Sequence, residues 1–413
     1  MNYEYLNGRL SVEGVDLESI AAACGTPTYV YSAGMIRERY QAYDRAWQGM
    51  KHRVCYAVKA NSNLAVLAVL AKEGAGFDIV SGGELFRVLK SGGLASNTVI
   101  SGVGKTEADI QYALEQDVHS FNCESIAELD VLERVAAKLG TVASIALRVN
   151  PDVNPATHPY ISTGMSENKF GIDIKVVEDA YAHAASRKHL RVTGVSCHIG
   201  SQMLDSTPMI EAVERLVALA QRLKDRGLPI DHLDLGGGLG VKYEAGESTP
   251  SIGDAVASMR KLVENTGLEA VVEPGRSIVA ESGVLLTRAL YHKNNGGKDF
   301  LIVDAAMNDL IRPSLYKAFH EIQPLIERNS PLTEMDVVGP VCESGDWLAK
   351  KRPLPTLDTG DVLAVRTAGA YGFGMASNYN SRGRAAEVLV DAGIYRIVRQ
   401  RESWDDLIRG ESL

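Results

Sequence analysis

The sequence predicts two domains. One is α/β, a (β/α)8 TIM-type barrel over residues 35–280. The other is a C-terminal all-β domain, Greek-key or sandwich-like, over residues 281–413 and joined by the N-terminal segment 1–34. Three observations predict this arrangement. The chain has 413 residues, more than the ~250–300 that one core usually serves. From residue 52 to 276, short strand-like runs alternate with amphipathic helical patterns, the signature of strands that pair in parallel beneath helices. After residue 280 the helical pattern fades and strand-like runs follow one another, as in an all-β unit.

Taken in order, Tyr5-Leu6-Asn7-Gly8-Arg9-Leu10 places Asn-Gly between apolar residues. That is a hairpin signal, because both turn positions accept positive φ. The N-terminal segment is therefore expected to pair with the second domain. Barrel strands are expected at 53–58, 76–80, 98–101, 118–122, 144–149, 192–197, 232–235 and 270–273. Helical patterns between them include 64–72, 84–90, 107–115, 126–138 and 211–225. No helical pattern follows the eighth strand, and the segment between the third and fourth strands is short. In the second domain, strands are expected at 283–290, 300–303, 336–341, 362–366, 386–390 and 394–398, with helical pattern only around 314–327.

Composition excludes several classes. Hydrophobic residues make up 45% and charged residues 23% of the chain, proportions of an ordinary globular protein. A net charge of −9 opposes a dominant nucleic-acid or anionic-membrane surface. No apolar run reaches the ~20 residues that span a bilayer. Met1-Asn2-Tyr3-Glu4-Tyr5 lacks the basic start of a signal peptide. Cys24, Cys55, Cys123, Cys197 and Cys342 stand without C-x-x-C spacing. That pattern predicts reduced thiols in the cytoplasm and no metal site.

The chemistry starts at Lys59, in Tyr56-Ala57-Val58-Lys59-Ala60-Asn61. It ends an apolar strand, where an unpaired ammonium is costly. A lysine there either carries charge into a pocket or condenses with an aldehyde. A lone strand-end lysine is more often a solvated surface residue, so its neighbours decide. In such a barrel, chemistry gathers at the C-terminal strand ends. Strand two ends near Asp78 and Ser81, strand five at Arg148 and Asn150, and strand six at His198-Ile199-Gly200-Ser201-Gln202. Strand seven runs into Gly236-Gly237-Gly238-Leu239-Gly240, and strand eight ends at Glu273-Pro274-Gly275-Arg276. Each has an ordinary reading as a turn, a satisfied core histidine or a surface ion pair. Their collection at one barrel end favours function.

The loops after strands seven and eight commonly hold phosphate in such barrels, and glycines let backbone N–H groups close on its oxygens. The run matches neither a Walker A loop nor a dinucleotide fingerprint. A phosphate site opposite a strand-end lysine points to pyridoxal 5′-phosphate. That cofactor needs a lysine for covalent attachment, an acid at its pyridine nitrogen and a flat group on its ring face. Lys59, Glu273 and His198 fit these needs in turn.

Those motifs recur in order with Cys342-Glu343-Ser344-Gly345-Asp346 and Ala370-Tyr371-Gly372. Together they resemble the fold-type III, alanine-racemase-like pyridoxal-phosphate decarboxylases over nearly the whole chain, and most of all those acting on meso-diaminopimelate in bacterial lysine synthesis. The resemblance implies a homodimer with shared active sites. It makes Lys59, Cys342, Glu273 and His198 catalytic. It surrounds the cofactor with Asp78, Arg148, Ser201, Gly238, Gly240, Gly275, Arg276 and Tyr371. It gives Arg276, Arg312, Tyr316, Glu343 and Tyr371 to the substrate, with Cys342 and Glu343 reaching in from the partner subunit. Tyr379-Asn380-Ser381-Arg382 also fits, although the family commonly follows it with proline and this chain has Gly383.

Substrate choice follows from charge. An ornithine-type substrate has a distal ammonium and no second carboxylate, whereas diaminopimelate has both. Arg312 supplies a bidentate partner for a carboxylate and Glu343 an acceptor for an ammonium. The residues alone leave open ornithine, arginine or carboxynorspermidine as substrate, racemisation, and a non-enzymatic carrier role. The polar loop 151–171 after strand five is expected to act as a lid.

Overall fold

The structure is a computed structural model that describes residues 2–154, 163–164 and 168–413. It divides into two compact units. One comprises Arg39–Val241 and Ser248–Ser277; the other comprises Met1–Glu38, Lys242–Glu247 and Ile278–Leu413. Among the described residues no helix is long and apolar enough to cross a membrane.

In the first unit eight parallel strands close on themselves: His52–Ala57, Gly76–Ile79, Thr98–Ile100, Ser120–Cys123, Ala143–Asn150, Leu190–Ser196, His232–Asp234 and Glu269–Val272. Closure is made by the eighth strand pairing with the first, Ala270 opposite His52 and Val272 opposite Val54. Phe77, Phe121, Ile145, Leu147, Val195, Leu233 and Val271 are buried. Helices start where a side chain accepts an orphan backbone N–H. Asn63 caps Leu64–Lys72, Ser81 caps Gly82–Lys90, Ser125 caps Ile126–Leu139, and Thr106 and Asp109 form a reciprocal cap on Glu107–Glu115. Val177–Ala185, Thr207–Asp225 and Ile252–Val263 complete the ring.

After the eighth strand there is only the short helix Arg276–Val279. In a closed barrel, the place after strand eight is also the place before strand one. Helix Ala33–Trp47 stands there. Its Tyr40, Tyr43 and Trp47 are buried, the Tyr43 and Ser277 hydroxyls lie 2.7 Å apart, and Arg260 Nη1 donates to the Ala46 carbonyl at 3.1 Å.

The second unit is mostly sheet. Its main path runs Trp347–Pro355, Leu332–Val338, Lys298–Val303, Gly283–Asn295, Thr28–Ser32, Ala386–Asp391, Ile394–Arg399. The N-terminal strand Thr28–Ser32 lies inside it, antiparallel to one neighbour and parallel to the other. The Asn-Gly hairpin joins Glu4–Leu6 to Arg9–Val12, with Asn7 at φ 52° and Gly8 at φ 75°. The helix expected around 314–327 is corrected. Only Arg312–Tyr316 is helical, and Lys317, in the left-handed region at φ 53°, ends it. Ile322–Pro324 is a strand paired with Val362–Val365. Apolar spacing there reflects pairing with a distant strand, which local periodicity cannot separate from a helix turn.

The barrel wall leaves no room at Gly194. A Cβ there would stand 2.2 Å from the ring of His232 on the adjacent strand. Gly194→Ala should lower the thermal unfolding midpoint, at an overpacking cost of about 1–3 kcal/mol or more. An unchanged midpoint by circular dichroism would contradict this packing.

Candidate active site

Lys59 lies in a single 3-10 turn, Val58–Ala60, directly after the first strand. Its Nζ meets Asp78 Oδ2 at 2.5 Å, and Asp78 is fully buried. Strand register explains the meeting: Ala57 is opposite Asp78, so the turn carries the amine over the end of strand two. Gly275 lets the eighth strand end press against this turn. A Cβ on it would lie 3.0 Å from Ala57 Cβ and 3.1 Å from Ala60 Cβ.

Around Lys59 opens a cavity of about 190 Å³, whose lining includes Ser101, Asn122, Arg148, Phe170, His198 and Glu273. Its floor is acidic. Asn122 Nδ2 donates to Asp234 Oδ2 at 2.8 Å and to Glu273 Oε1 at 3.2 Å, and Ser101 Oγ donates to the same Glu273 oxygen at 3.4 Å. Burial, then the charges of Asp234 and Asp78, pushes the Glu273 carboxyl well above the usual carboxylate range; Lys59 opposes this. Burial also raises Asp234. The pair therefore retains a proton.

One wall is cationic. Arg148 Nη1 donates to Glu124 Oε1 at 2.8 Å and Nη2 to the His198 carbonyl at 3.1 Å, while its guanidinium carbon lies 4.7 Å from the Phe170 ring centroid. His198 Nδ1 accepts from the Gly237 N–H at 3.1 Å, which leaves the hydrogen on Nε2. Withdrawal from bulk water, then the Arg148 and Lys59 charges, pushes this imidazole well below its ordinary pKa. His198 is thus a neutral flat wall.

The glycine run is laced to the loop after strand six. Met203 N–H donates to the Gly238 carbonyl, Gly240 N–H to the Met203 carbonyl, and Gln202 Nε2 to the Val241 carbonyl. Gly238 has φ 118°, and a Cβ there would stand 2.5 Å from the Gly200 carbonyl. Arg276 Nε and Nη2 lie 3.3 and 3.1 Å from Ser201 Oγ. The barrel unit thus brings together Lys59, Asp78, Arg148, His198, Ser201, Gly238, Gly240, Glu273, Gly275 and Arg276. Ser101, Asn122, Glu124 and Asp234 belong to the same network. Their signal in the sequence was faint: a polar residue within or just past an apolar strand. The lid expected at 151–171 rests largely on 155–162 and 165–167, which lie outside the described residues.

The remaining candidates belong to the other unit. Arg312 is buried, Tyr316 is partly buried, and Cys342 and Glu343 are exposed. Ser314 Oγ donates to the Gly345 carbonyl at 2.6 Å, Asn380 Oδ1 accepts from Cys342 N–H at 3.0 Å, and buried Asp346 accepts from Met307 and Val341 N–H. A hydrogen bond with Glu343 raises the Tyr379 phenol. Tyr371 holds φ 54°.

The cavity suits pyridoxal phosphate on the structure's own terms. It offers an amine at one wall, a proton-holding acid at the floor and a neutral flat imidazole. Its buried Asp78 Oδ1, Asn122 Oδ1 and Ser196 Oγ have no hydrogen-bond partner among the described residues. Residues 33–280 match the family described as pyridoxal-dependent decarboxylase, pyridoxal binding domain. Fold and site define a pyridoxal-phosphate-dependent decarboxylase of the barrel-plus-β-domain class. The chain is 57% identical to the diaminopimelate decarboxylase of Pseudomonas aeruginosa, with 100% of this chain and 99% of that one covered. It superposes on the Helicobacter pylori diaminopimelate decarboxylase complexed with L-lysine at TM-score 0.92 and 43% identity, covering 95% and 98% of the chains. The M. jannaschii diaminopimelate decarboxylase in co-complex with L-lysine gives TM-score 0.95 and 37% identity, covering 100% and 98%. This chain belongs to the diaminopimelate decarboxylase family.

The acidic floor has a consequence for pH. Above the ordinary carboxylate range the unfolded chain has released protons that folded Glu273 and Asp234 still hold. Their contribution to stability is therefore present at low pH and is lost as pH rises through the raised values. The cofactor-free protein should lose urea resistance as pH rises above the ordinary carboxylate range, and Asp234→Asn should flatten that loss. Parallel pH profiles for the two proteins would contradict the shared proton.

Proposed function

We propose that the chain decarboxylates meso-2,6-diaminopimelate to L-lysine and carbon dioxide, the last step of bacterial lysine synthesis, with pyridoxal 5′-phosphate held in the barrel. The observation that carries this is Lys59 at 2.5 Å from Asp78, in one cavity with His198 and Glu273. Bound there, the cofactor supplies an electron sink for the pair left on Cα when the carboxylate departs as carbon dioxide.

The chain's residues do the rest. We assign Lys59 as the covalent anchor, with Asp78 orienting its amine. Glu273 holds the proton at the pyridine nitrogen, and His198 packs against the ring without adding charge. Gly238, Gly240, Gly275, Arg276 and Ser201 surround the phosphate, with Tyr371 and Arg148 as further cofactor neighbours. Cys342, exposed and on the β unit, returns a proton to Cα as a general acid. Arg276, Arg312, Tyr316 and Tyr371 hold substrate, with Arg312 and Tyr316 on its distal carboxylate. Glu343 accepts from its distal ammonium. The enzyme acts in the cytoplasm as a homodimer with shared sites, Cys342 and Glu343 being supplied across the subunit interface.

Two measurements test this. Borohydride treatment of the yellow holoenzyme should place the label on the Lys59 peptide, and meso-diaminopimelate should yield carbon dioxide and L-lysine in equal amounts. Label on another peptide, or turnover of ornithine in preference, would overturn the assignment. Arg312→Ala should lower kcat/KM for meso-diaminopimelate by roughly thirtyfold to a thousandfold, the range for leaving a charge-paired carboxylate unmatched. An unaltered kcat/KM would remove Arg312 from the site.

A further inference from the structure

Arg312 does not stand alone in the β unit. Its Nη1 lies 2.8 Å from His320 Nε2, and its guanidinium carbon lies 4.5 Å from the ring centroid of Tyr243. His320 is fully buried. Its Nδ1 lies 2.8 Å from the Arg366 carbonyl, and its ring meets Tyr243 edge-on, with centroids 5.3 Å apart and planes at 77°.

The hydrogen inventory of this group has one solution. A guanidinium only donates, so His320 Nε2 carries a lone pair. A carbonyl only accepts, so Nδ1 carries the hydrogen. His320 is therefore a neutral imidazole, tied to the backbone by one nitrogen and holding Arg312 by the other. Tyr243 supplies a flat face for the guanidinium and abuts the histidine as well. Two edges of a three-part frame thus fix the plane of a side chain that is otherwise rich in rotamers.

We infer that His320 and Tyr243 are positioning residues that set specificity for a second carboxylate on the substrate. They fix the guanidinium of Arg312 before substrate arrives, so less ordering remains to be done on binding. A neutral acceptor does this without cancelling charge at that contact. This inference rests on the assignment of Arg312 to the distal carboxylate.

Two substitutions at position 320 separate positioning from mere packing. His320→Gln keeps an acceptor near the Nε2 position and loses the hydrogen toward Arg366. His320→Asn keeps a donor near the Nδ1 position and loses the acceptor for Arg312. In the holoenzyme, His320→Asn should raise KM for meso-diaminopimelate roughly tenfold with kcat within about twofold, as for an interaction made equally in ground and transition states. His320→Gln should stay within about threefold of the parent KM. Inhibition by L-lysine, which retains the distal carboxylate, should weaken in step with KM. Equal losses in the two variants, or no loss in His320→Asn, would overturn the inference. Should His320→Asn fail to fold, Tyr243→Leu carries the same test: KM rises severalfold with kcat unchanged, and an unaltered KM overturns it. Arg312→Ala distinguishes the levels. Harmless there, the clamp assignment itself fails; damaging there with His320→Asn harmless, only the positioning role fails.

Discussion

Asp78, Asp234 and Glu273 share one end of the barrel core, and all three are buried. An isolated ionised carboxylate in such a place costs several kcal/mol. Three could not all be charged against one lysine. The chain resolves this with Lys59 on Asp78, with the Asn122 amide bridging Asp234 and Glu273, and with a proton kept between those two. The resolution is conditional. A protonated ring nitrogen set against Glu273 would supply the second cation that lets this carboxyl ionise. Under the proposed function, the acid that burial keeps from ionising is the one such a nitrogen would face.

The opposite problem is met at the wall. Arg148 and Lys59 both disfavour a charged His198, so the imidazole is neutral and its Nδ1 is spent on Gly237 N–H. Arg148 in turn is paired with Glu124, which also accepts from Gly171 N–H at 2.7 Å. That pairing neutralises Arg148 and ties the described end of the 151–171 loop to the barrel. A guanidinium so occupied is suited to shaping the cavity. Polar groups that break the apolar pattern of a barrel strand are the expected mark of such a site.

This logic also decides what was legible in the sequence. The eight barrel strands could be placed because parallel strands covered on both faces read as compact apolar runs. Lys59, His198 and Glu273 stood out because each ends such a run with a polar group. Asn122 and Asp234 do so too, yet an isolated asparagine or aspartate near a turn is ordinary, and nothing local reveals that strands four and seven face each other across the floor. The cover of the eighth strand was hidden for a related reason: its helix comes from before strand one, so closure, not sequence order, supplies it. Around 314–327 the misleading helical spacing arose from a strand whose partner, Val362–Val365, is distant in the chain. Tyr243 and His320 carried no signal, since their meaning depends on a fold that brings residue 243 to residue 312.

Arg148 and Arg312 show how a buried cation acquires a role. Both are nearly excluded from water, so each needs hydrogen-bond partners to be tolerated. At Arg148 the partner is a carboxylate, and pairing settles the charge within the protein. At Arg312 the partner on Nη1 is a neutral imidazole whose tautomer is fixed by the Arg366 carbonyl. An acid in place of His320 would orient the guanidinium equally well, but it would compete with any incoming carboxylate. A neutral acceptor orients the guanidinium without adding a negative charge at that contact. The two buried arginines thus differ in the partner on Nη1, a carboxylate at Arg148 and a neutral imidazole at Arg312.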